Sequence, residues 1–594
     1  MNLIEFKQTN NIFVNAGIVA LHRYIEKFMS QEQNKYTGVK NNLGKNKLTV
    51  ECDQLLLLLE DVYYFMGKEI YNTATKKQIE DAKNENANFY YEIKSEKFIS
   101  FPKMNTYGLT QLFTNNAQGI TRHESNTTTI KKLEKSDNKL ANKFKNHFEC
   151  KGIKLRSKLY FNEPYTKITR LLVNENYLKP GNKICPILND GFKQLVEGKN
   201  ISPFVSGISN FNSYLQSSEK KISWKALYLI RFSPALVFYT YKNGYDTLIC
   251  HFFNSNNLPN IDTLCNPALY KSKNELETQH PLPYSSNFNF YDFIYTRNDE
   301  EKYRVKSSDD TFFTSEVSFL MLYTFYKRHF EEEIFNNKNA STNIVDPFRN
   351  HPLEKIPISI ISFKADKFAS TLRPNEYEEF NNVKYIFRLI YNLEQGEEKI
   401  LIKDLWYGLK LRTPSSSNTK DFNKARRLER IIRSEIFSNV LKGKSIVNQI
   451  EKLFYDSYNH KINGFNTGYR NYKTILNFLI IYEQTLKNNK MDKELQKKAI
   501  NLGKSIGQGI INFGDDEDKK TKAKNGRKYI IGLHKSRTLQ QFLDNLYRIA
   551  NKYGISVSNE ILENINEENF MLIKQFSLIG ALNQLNSVLK NNNN

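Results

Sequence analysis

The chain has 594 residues, of which 40% are hydrophobic, so it can bury a large core and is expected to form more than one domain. Its aromatic content of 13% argues against general disorder. Its 86 Lys and Arg residues outnumber its 63 Asp and Glu residues, and the net charge of +23 indicates a polyanionic partner. The most apolar run, Leu55 to Leu59, is far shorter than the roughly 20 residues that span a bilayer, so we expect no membrane contact.

The cysteines and the N-terminus indicate a reducing compartment. Five dispersed cysteines show no tight pairing, and the first residues lack the pattern of a secretion signal. Both features predict a cytoplasmic location.

The first predicted elements are two helices separated by a polar loop. Apolar residues at helical spacing predict helices over 11–30 and 53–71. The small residues Asn15-Ala16-Gly17 allow a close backbone approach, which would serve packing or contact with phosphates. Residues 31–49 read as a polar basic loop, a candidate for reading duplex DNA through Lys35, Lys40, Lys45 and Lys47.

The middle of the chain predicts a hairpin and then two helices. Two apolar runs flank Asn243-Gly244 between residues 235 and 253, which is a strong hairpin signal. Periodicity predicts helices over 317–335 and 378–393. The turn-rich segment 413–420 is the candidate linker between a mixed α/β domain of residues 1–412 and a helical domain of residues 421–594.

The remainder of the chain reads as helices with short loops, which predicts an antiparallel helical bundle. The fold class is therefore α+β, with a large mixed N-terminal domain before the bundle. Residues 514–528 are interpreted as a loop, and Gly503 with Gly507 as a site of close helix packing. The predicted helices are 421–441, 444–458, 470–487, 491–511, 537–553 and 568–588.

Positive charge is concentrated in this helical part. Residues 401–594 carry +15 of the net +23, and five arginines lie between residues 412 and 433. Because AT-rich codons favour lysine over arginine, this arginine cluster is more informative than the lysine count. Arg426, Arg430 and Arg433 recur on one face of the predicted helix 421–441, where guanidinium groups suit phosphate oxygens. The alternative is a solvated face paired with Glu429 and Glu435.

The nucleic-acid-binding candidates are the basic residues of this cluster and of the following predicted helices. They are Arg412, Lys424, Arg426, Arg427, Arg430, Arg433, Lys442, Lys444, Arg470, Arg527, Lys528, Lys535 and Arg537.

No local pattern predicts an active site. The densest acidic stretches, which begin at Asp309, Glu331 and Asp515, read as solvated turns or helix faces. Gly503-Lys504-Ser505 resembles the end of a phosphate-binding loop, but Lys498 stands where that loop requires glycine. We therefore predict no catalytic residue and no cofactor.

Three segments together resemble the large subunit of the type I-B CRISPR interference complex (Cascade), in the branch with a zinc-binding Cys-x-x-Cys pair. They are residues 15–25 (NAGIVALHRYI), 222–253 and 533–566. Here Cys150-Lys-Gly-Ile153 and Cys185-Pro-Ile-Leu188 each keep one thiol. Because structural zinc normally needs four ligands, we expect no metal and apolar packing instead.

The resemblance implies a non-catalytic subunit of a guide-RNA surveillance complex. Such a subunit would sit at the 5′ end of the guide and recognise the protospacer-adjacent motif through its N-terminal domain. It would also help open double-stranded DNA, contact the displaced single strand, and recruit the helicase-nuclease. Its other partners would be the backbone subunits and a small subunit. The alternatives are a stand-alone metal-dependent nuclease, whose carboxylates converge only in three dimensions, and an RNA-binding scaffold.

Overall fold

The structure is a computed structural model. It describes residues 2–32, 34–70, 73–74, 89–100, 105–106, 126–152, 154–155, 159–161, 173–197, 221–242, 247–265, 296–297, 301–302, 314–326, 357–368, 371–395, 399–402, 405, 409, 431–459, 469–486, 491–514 and 518–590.

The chain divides into two compact units, each assembled from two stretches of sequence. The first unit is Met1–Phe288 with Ile358–Glu379, and the second is Asn289–Pro357 with Phe380–Asn594. The second unit thus includes residues 289–357 and 380–412, which the sequence analysis assigned to the N-terminal domain. The predicted linker 413–420 lies outside the described residues, so that boundary stays a prediction.

The chain up to residue 265 mixes strands and helices. Its elements are β1 (Leu3–Lys7), α1 (Ile12–Gln31), β2 (Lys40–Leu43), β3 (Lys47–Glu51), α2 (Leu55–Ile70), β4 (Thr73–Ala74), β5 (Phe89–Glu92), β6 (Lys97–Ser100), β7 (Asn105–Thr106), β8 (Asn126–Thr128), α3 (Ile130–Ser136), α4 (Asn138–Cys150), β9 (Leu159–Phe161), α5 (Glu175–Leu178), β10 (Pro180–Ile184), β11 (Gly191–Phe192), β12 (Val196–Glu197), β13 (Lys221–Ile222), α6 (Trp224–Phe232), β14 (Phe238–Lys242), β15 (Thr247–Asn254) and α7 (Leu258–Leu264).

The remaining elements change from strands to helices along the chain. They are β16 (Thr296–Arg297), β17 (Glu301–Lys302), α8 (Thr314–Tyr326), β18 (Ser359–Phe368), β19 (Thr371–Phe380), α9 (Tyr385–Gln395), α10 (Val447–Tyr458), α11 (Tyr469–Thr485), α12 (Lys493–Asn512), α13 (Lys519–Asn525), α14 (Arg527–Lys535), α15 (Leu539–Tyr553), α16 (Asn559–Asn564) and α17 (Phe570–Lys590). Residues 431–441 are also helical.

Helix α1 forms the centre of the first unit. The Asn11 side chain accepts hydrogen bonds from the backbone NH groups of Phe13 and Val14 and so begins the helix. Gly17 lies so close to α6 that an added Cβ would be 2.0 Å from the Leu229 carbonyl oxygen. The small residues at the start of α1 therefore serve packing, the first of the two predicted uses.

Two antiparallel sheets of the first unit bear on the sequence predictions. Strands β14 and β15 pair as the predicted hairpin, with Phe238 opposite His251, in a sheet of order β14-β15-β18-β19. Strands β1, β3 and β2 form a second sheet in that order. The interpretation of 31–49 as a loop was wrong for residues 40–43 and 47–49, because these polar segments pair with each other and with β1.

The second unit is helical over its C-terminal residues, so the predicted class of a mixed N-terminal part followed by a helical region is confirmed. Helices α12 and α17 are in close contact: a Cβ on Gly503 would lie 1.9 Å from the Ser577 carbonyl oxygen, and one on Gly507 would lie 2.7 Å from Gln584 Cβ. This confirms the close packing predicted for the two glycines. The contacts advance in the same direction along both helices, so these two helices, which are not consecutive in the chain, run parallel.

None of the helices among the described residues is long and apolar enough to cross a membrane.

Candidate nucleic-acid interface

Helices α12 to α15 surround a basic cleft, which we call the α12–α15 cleft. Its volume is about 790 Å³, and none of the described residues that line it is acidic. Like charges at this density repel one another, so the arrangement favours an anionic ligand. Its five cations come from three helices: Lys522, Lys524, Arg527, Lys528 and Lys552.

Local sequence explains how these helices converge. Gly514 has φ +74°, a left-handed conformation that suits glycine and turns the chain after α12. The Asp518 carboxylate accepts hydrogen bonds from the backbone NH groups of Lys520 and Thr521 and so begins α13. These bonds also hold the pKa of Asp518 below its usual range. Gly526 joins α13 to α14, and a Cβ there would meet Ile510 Cγ2 at 2.4 Å.

The inner wall of the cleft is anchored to the bundle. The Tyr458 hydroxyl of α10 donates to the Ala523 carbonyl oxygen at 2.7 Å, and burial raises the pKa of this phenol. Arg527 Nε donates to the Asn459 side-chain oxygen at 2.8 Å. The Nε–H group of Arg527 therefore holds the side chain in place, and a guanidinium has four further N–H donors that can bind a ligand.

Three aromatic side chains share the cleft with the cations. The Phe513 and Tyr553 ring centroids are 5.2 Å apart, and those of Tyr529 and Tyr553 are 5.4 Å apart, both with nearly perpendicular planes. Lys552 Nζ lies 5.2 Å from the Phe513 centroid, and Lys528 Nζ lies 5.2 Å from the Tyr529 centroid. Cations and rings thus alternate around the opening, a combination typical of nucleic-acid-binding grooves.

Arg433 does not belong to this surface, and its prediction as a phosphate contact was wrong. Its side chain is 2% exposed, and its Nε lies 2.5 Å from Glu316 Oε1 of α8. A second bond runs from Nη2 to Glu316 Oε2 at 3.2 Å. The guanidinium is occupied by a buried carboxylate, so it is closed to any external phosphate.

The other predicted contacts fall into three groups. Arg527 and Lys528 line the α12–α15 cleft. Lys442, Lys444, Lys535 and Arg537 are exposed but do not line it. The side chain of Arg470, in the first turn of α11, and all of Arg412, Lys424, Arg426, Arg427 and Arg430 lie outside the described residues.

Three of the four N-terminal candidates form ion pairs on the surface. Lys35 pairs with Asp61 at 2.8 Å, Lys40 with Glu51 at 2.7 Å and Lys47 with Glu5 at 2.5 Å. The pairs of Lys40 and Lys47 are solvent-exposed and contribute little stability, whereas the Asp61 carboxylate is only 13% exposed and also accepts a hydrogen bond from the Tyr36 hydroxyl.

Lys45 is the fourth N-terminal candidate, at the tip of the β2–β3 turn. It is exposed, and no acid of the described chain pairs with it. Its own backbone carbonyl accepts a hydrogen bond from the Leu258 NH group, which fixes the turn.

Sequence reasoning missed more of the cleft than it found. It did not single out Lys522 or Lys524, because residues 514–528 were interpreted as a loop, and it did not single out Lys552 or the three rings, because nothing local shows that these helix ends meet. A local signal existed in Asp518, which precedes seven residues without proline or glycine and so fits a helix start. Phe513 gave no separate signal, because it continues the helical spacing of Ile506 and Ile510 and so reads as a packed apolar residue.

The cysteines give no metal centre among the described residues, where no group of three or more His, Cys, Asp or Glu side chains converges. Cys185 is buried, and its sulfur accepts a hydrogen bond from the Ser223 NH group at 3.2 Å. Cys150 is exposed at the end of α4, so the apolar packing expected around it is not found.

No protein-family model matches this chain, and no curated protein matches it. The function is therefore argued from the residues and their geometry.

Proposed function

We propose that this chain is the non-catalytic large subunit of a type I-B CRISPR RNA-guided surveillance complex. It would recognise the protospacer-adjacent motif through its first unit, help open target DNA, contact the exposed strand through its helical unit, and recruit the helicase-nuclease. The observation that carries the proposal is the α12–α15 cleft, which combines five cations with three aromatic rings and has no acid among its described lining residues.

The charge of the cleft supports a nucleic-acid ligand over an acidic protein. Lys522, Lys524, Arg527, Lys528 and Lys552 bring five positive charges to one concave surface. A strand supplies phosphates at regular spacing, and their neutralisation releases counterions, which stabilises the complex. Every nucleotide carries a phosphate and a flat base together, so a strand supplies partners for the cations and for Phe513 and Tyr529 at each step, whereas an acidic peptide supplies an aromatic ring only at particular residues.

The proposal assigns adjacent-motif recognition to the first unit. Lys45 is exposed in the β2–β3 turn. Lys40 and Lys47, in the two strands that flank this turn, are paired with acidic side chains that a phosphate would replace. In RNA-guided complexes the guide supplies sequence specificity, and protein reads only a short duplex motif. A few exchangeable cations beside a turn suit that limited task.

Co-purification tests the proposal. The tagged chain is expressed together with the genes that flank it, and the RNA in the purified material is sequenced. The proposal expects a complex that contains several copies of a backbone subunit and a guide RNA with a constant 5′ end. Elution of the chain without RNA and without backbone subunits, when those subunits assemble on their guide, would contradict it.

The nuclease alternative has its own test. Purified chain is incubated with Mg²⁺ or Mn²⁺ and with single- and double-stranded DNA. The proposal expects intact DNA in every arm until the helicase-nuclease is added. Metal-dependent cleavage by the chain alone would overturn the non-catalytic assignment.

A further inference from the structure

The α12–α15 cleft contains a feature that phosphate binding alone does not require. Phe513, the residue after α12, keeps 47% of its surface exposed although the bundle beside it is packed. Its ring is held in place by an edge contact to Tyr553 and lies beside the Lys552 ammonium. A fixed, half-exposed ring next to a cation offers a flat apolar surface and a positive charge to the same ligand.

We propose that the cleft binds single-stranded nucleic acid by stacking one unpaired base on Phe513 while Lys552, Lys528 and Arg527 hold the adjacent phosphates. This deepens the proposed function and rests on it, because it names the contacts by which the same surface would hold the exposed strand.

Stacking requires that the base be unpaired and unstacked. Within a duplex both faces of an internal base are covered by neighbouring base pairs, so a protein ring can stack on it only where the duplex is locally unstacked, which costs free energy. The cleft volume of about 790 Å³ lies within the range of about 300–1,000 Å³ found for ligand pockets. It can therefore accept a nucleotide but cannot enclose a duplex.

The cleft contains little that could read base identity. Apart from the cations and rings, its described polar lining side chain is Asn525. Burial raises the pKa of Tyr553 to about 12, so its hydroxyl remains protonated at neutral pH and can donate to any acceptor. Recognition by ring faces and charge is tolerant of sequence, which suits a strand that differs with every target.

The neighbouring acidic residues Asp515, Asp516 and Glu517 lie outside the described residues. Asp518 does not compete with a phosphate, because its carboxylate is engaged by Lys520 and Thr521 backbone NH groups at the start of α13.

The test measures binding of the full chain to a fluorescent oligothymidylate and to a blunt duplex of the same length. Phe513→Leu removes the ring and keeps an apolar side chain, and Phe513→Trp enlarges the ring. The matched control is Tyr547→Leu, because Tyr547 is 46% exposed on α15 and does not line the cleft. Thermal unfolding shows that each variant is folded.

We expect Phe513→Leu to weaken single-strand binding by roughly 5- to 150-fold, the loss of about one stacked base. The duplex affinity of Phe513→Leu should be unchanged. Phe513→Trp should bind single strands at least as well as the native chain, and Tyr547→Leu should bind both ligands as the native chain does. Unchanged single-strand affinity of Phe513→Leu, or an equal loss for duplex and single strand, would overturn the stacking proposal.

A competition arm separates a strand from a free nucleotide, which carries the same base and phosphate chemistry. Adenosine triphosphate is added against the bound oligothymidylate. Displacement only at concentrations far above that of the unlabelled oligonucleotide supports a strand, and equal potency would overturn it.

The two proposals fail in different ways. If the native chain binds neither duplex nor single strand, alone or in its complex, the proposed function fails. If the native chain binds nucleic acid and assembles on a guide, but Phe513→Leu leaves single-strand binding intact, only the stacking inference fails.

Discussion

The ion pair between Arg433 and Glu316 is closed to solvent, and we expect its disruption to destabilise the second unit. The two side chains are 2% and 0% exposed, with 2.5 Å between Arg433 Nε and Glu316 Oε1. Arg433→Met leaves a buried carboxylate without its guanidinium, which costs roughly 3–5 kcal/mol. At about 2–4 °C per kcal/mol for a unit of this size class, the melting temperature should fall by roughly 6–20 °C.

The assay is thermal unfolding followed by circular dichroism for Arg433→Met, Glu316→Leu and the double variant. Each single variant should be destabilised, and the double variant should recover most of the loss, because two apolar side chains can replace a buried pair at little net cost. Lys452→Met is the control, since Lys452 is exposed on α10 of the same unit and should leave the melting temperature unchanged.

The same variants separate a structural role from a binding role. Because Arg433 is enclosed, Arg433→Met should leave the salt dependence of nucleic-acid binding unchanged at a temperature where it is folded. A melting temperature within about 2 °C of the native value, together with a shallower salt dependence, would refute the buried pair and restore Arg433 as a phosphate contact.

Three further predictions concern buried groups elsewhere. Gly503→Ala should destabilise the second unit by about 1–3 kcal/mol, because the new methyl group would lie 1.9 Å from the Ser577 carbonyl oxygen. Ser505 is exposed on the same helix, so Ser505→Ala should leave the stability unchanged, and urea unfolding of both variants measures the difference. Burial lowers the pKa of His251 to about 3, so the folded chain resists its protonation, and stability should fall by up to roughly 1.4 kcal/mol per pH unit as pH decreases from 6.5 towards 3. A pH series in which His251→Gln has the same slope as the native chain would contradict this. Burial raises the pKa of Glu483 from its usual value of 4.5, so stability should fall as pH rises from about 4.5 towards the raised pKa and stay at the lower level above it. Glu483→Gln keeps an acceptor for the Ile446 NH group and should be more stable than the native chain at pH 8, and unfolding at pH 4 should show the difference lost.

The long helices could be predicted from sequence because their apolar residues recur with a strong helical period. The helix predicted over 491–511 is Lys493–Asn512, and the one predicted over 568–588 is Phe570–Lys590. The hairpin was predictable for a different reason, since Asn243-Gly244 between two apolar runs is itself a turn signal. In each case a short stretch of chain contains all the information required.

Strands β2 and β3 could not be predicted in the same way. Residues 40–43, Lys-Asn-Asn-Leu, have the composition of a loop, and their conformation depends on pairing with β3. Strand β3 in turn pairs with β1, where Leu3 lies opposite Glu51. Strand β2 is joined to β3 by a short turn, but β3 pairs on its other side with β1, 40 or more residues earlier in the chain, so the sheet overrides the local propensity of residues 40–43.

The error at Arg433 has a similar cause. Periodicity placed Arg433 on one face with Arg426 and Arg430, but it gave no information on what that face contacts. Glu316, 117 residues earlier in the chain, supplies the buried partner. A basic helical face and a buried ion pair look alike in sequence when the acidic partner is distant.

The α12–α15 cleft was predicted only through Arg527 and Lys528. Its other cations and its rings come from helix ends that meet because Gly514 turns the chain and Gly526 allows contact with Ile510. Charge composition located the basic part of the chain, whereas the combination of cations with aromatic rings depended on the packing of four helices.

The central claim, that this cleft binds nucleic acid, is tested most directly by the salt dependence of single-strand binding. The cleft variant replaces four of its cations by glutamine: Lys524, Arg527, Lys528 and Lys552. The control variant replaces four exposed lysines of the first unit by glutamine, so that both variants lose the same charge: Lys131, Lys132, Lys139 and Lys151. The slope of log K against log salt should become shallower by about 0.7 for each lost phosphate contact, close to 3 for all four, and the control should retain the native slope. Equal slopes for the cleft variant and the native chain would contradict the account.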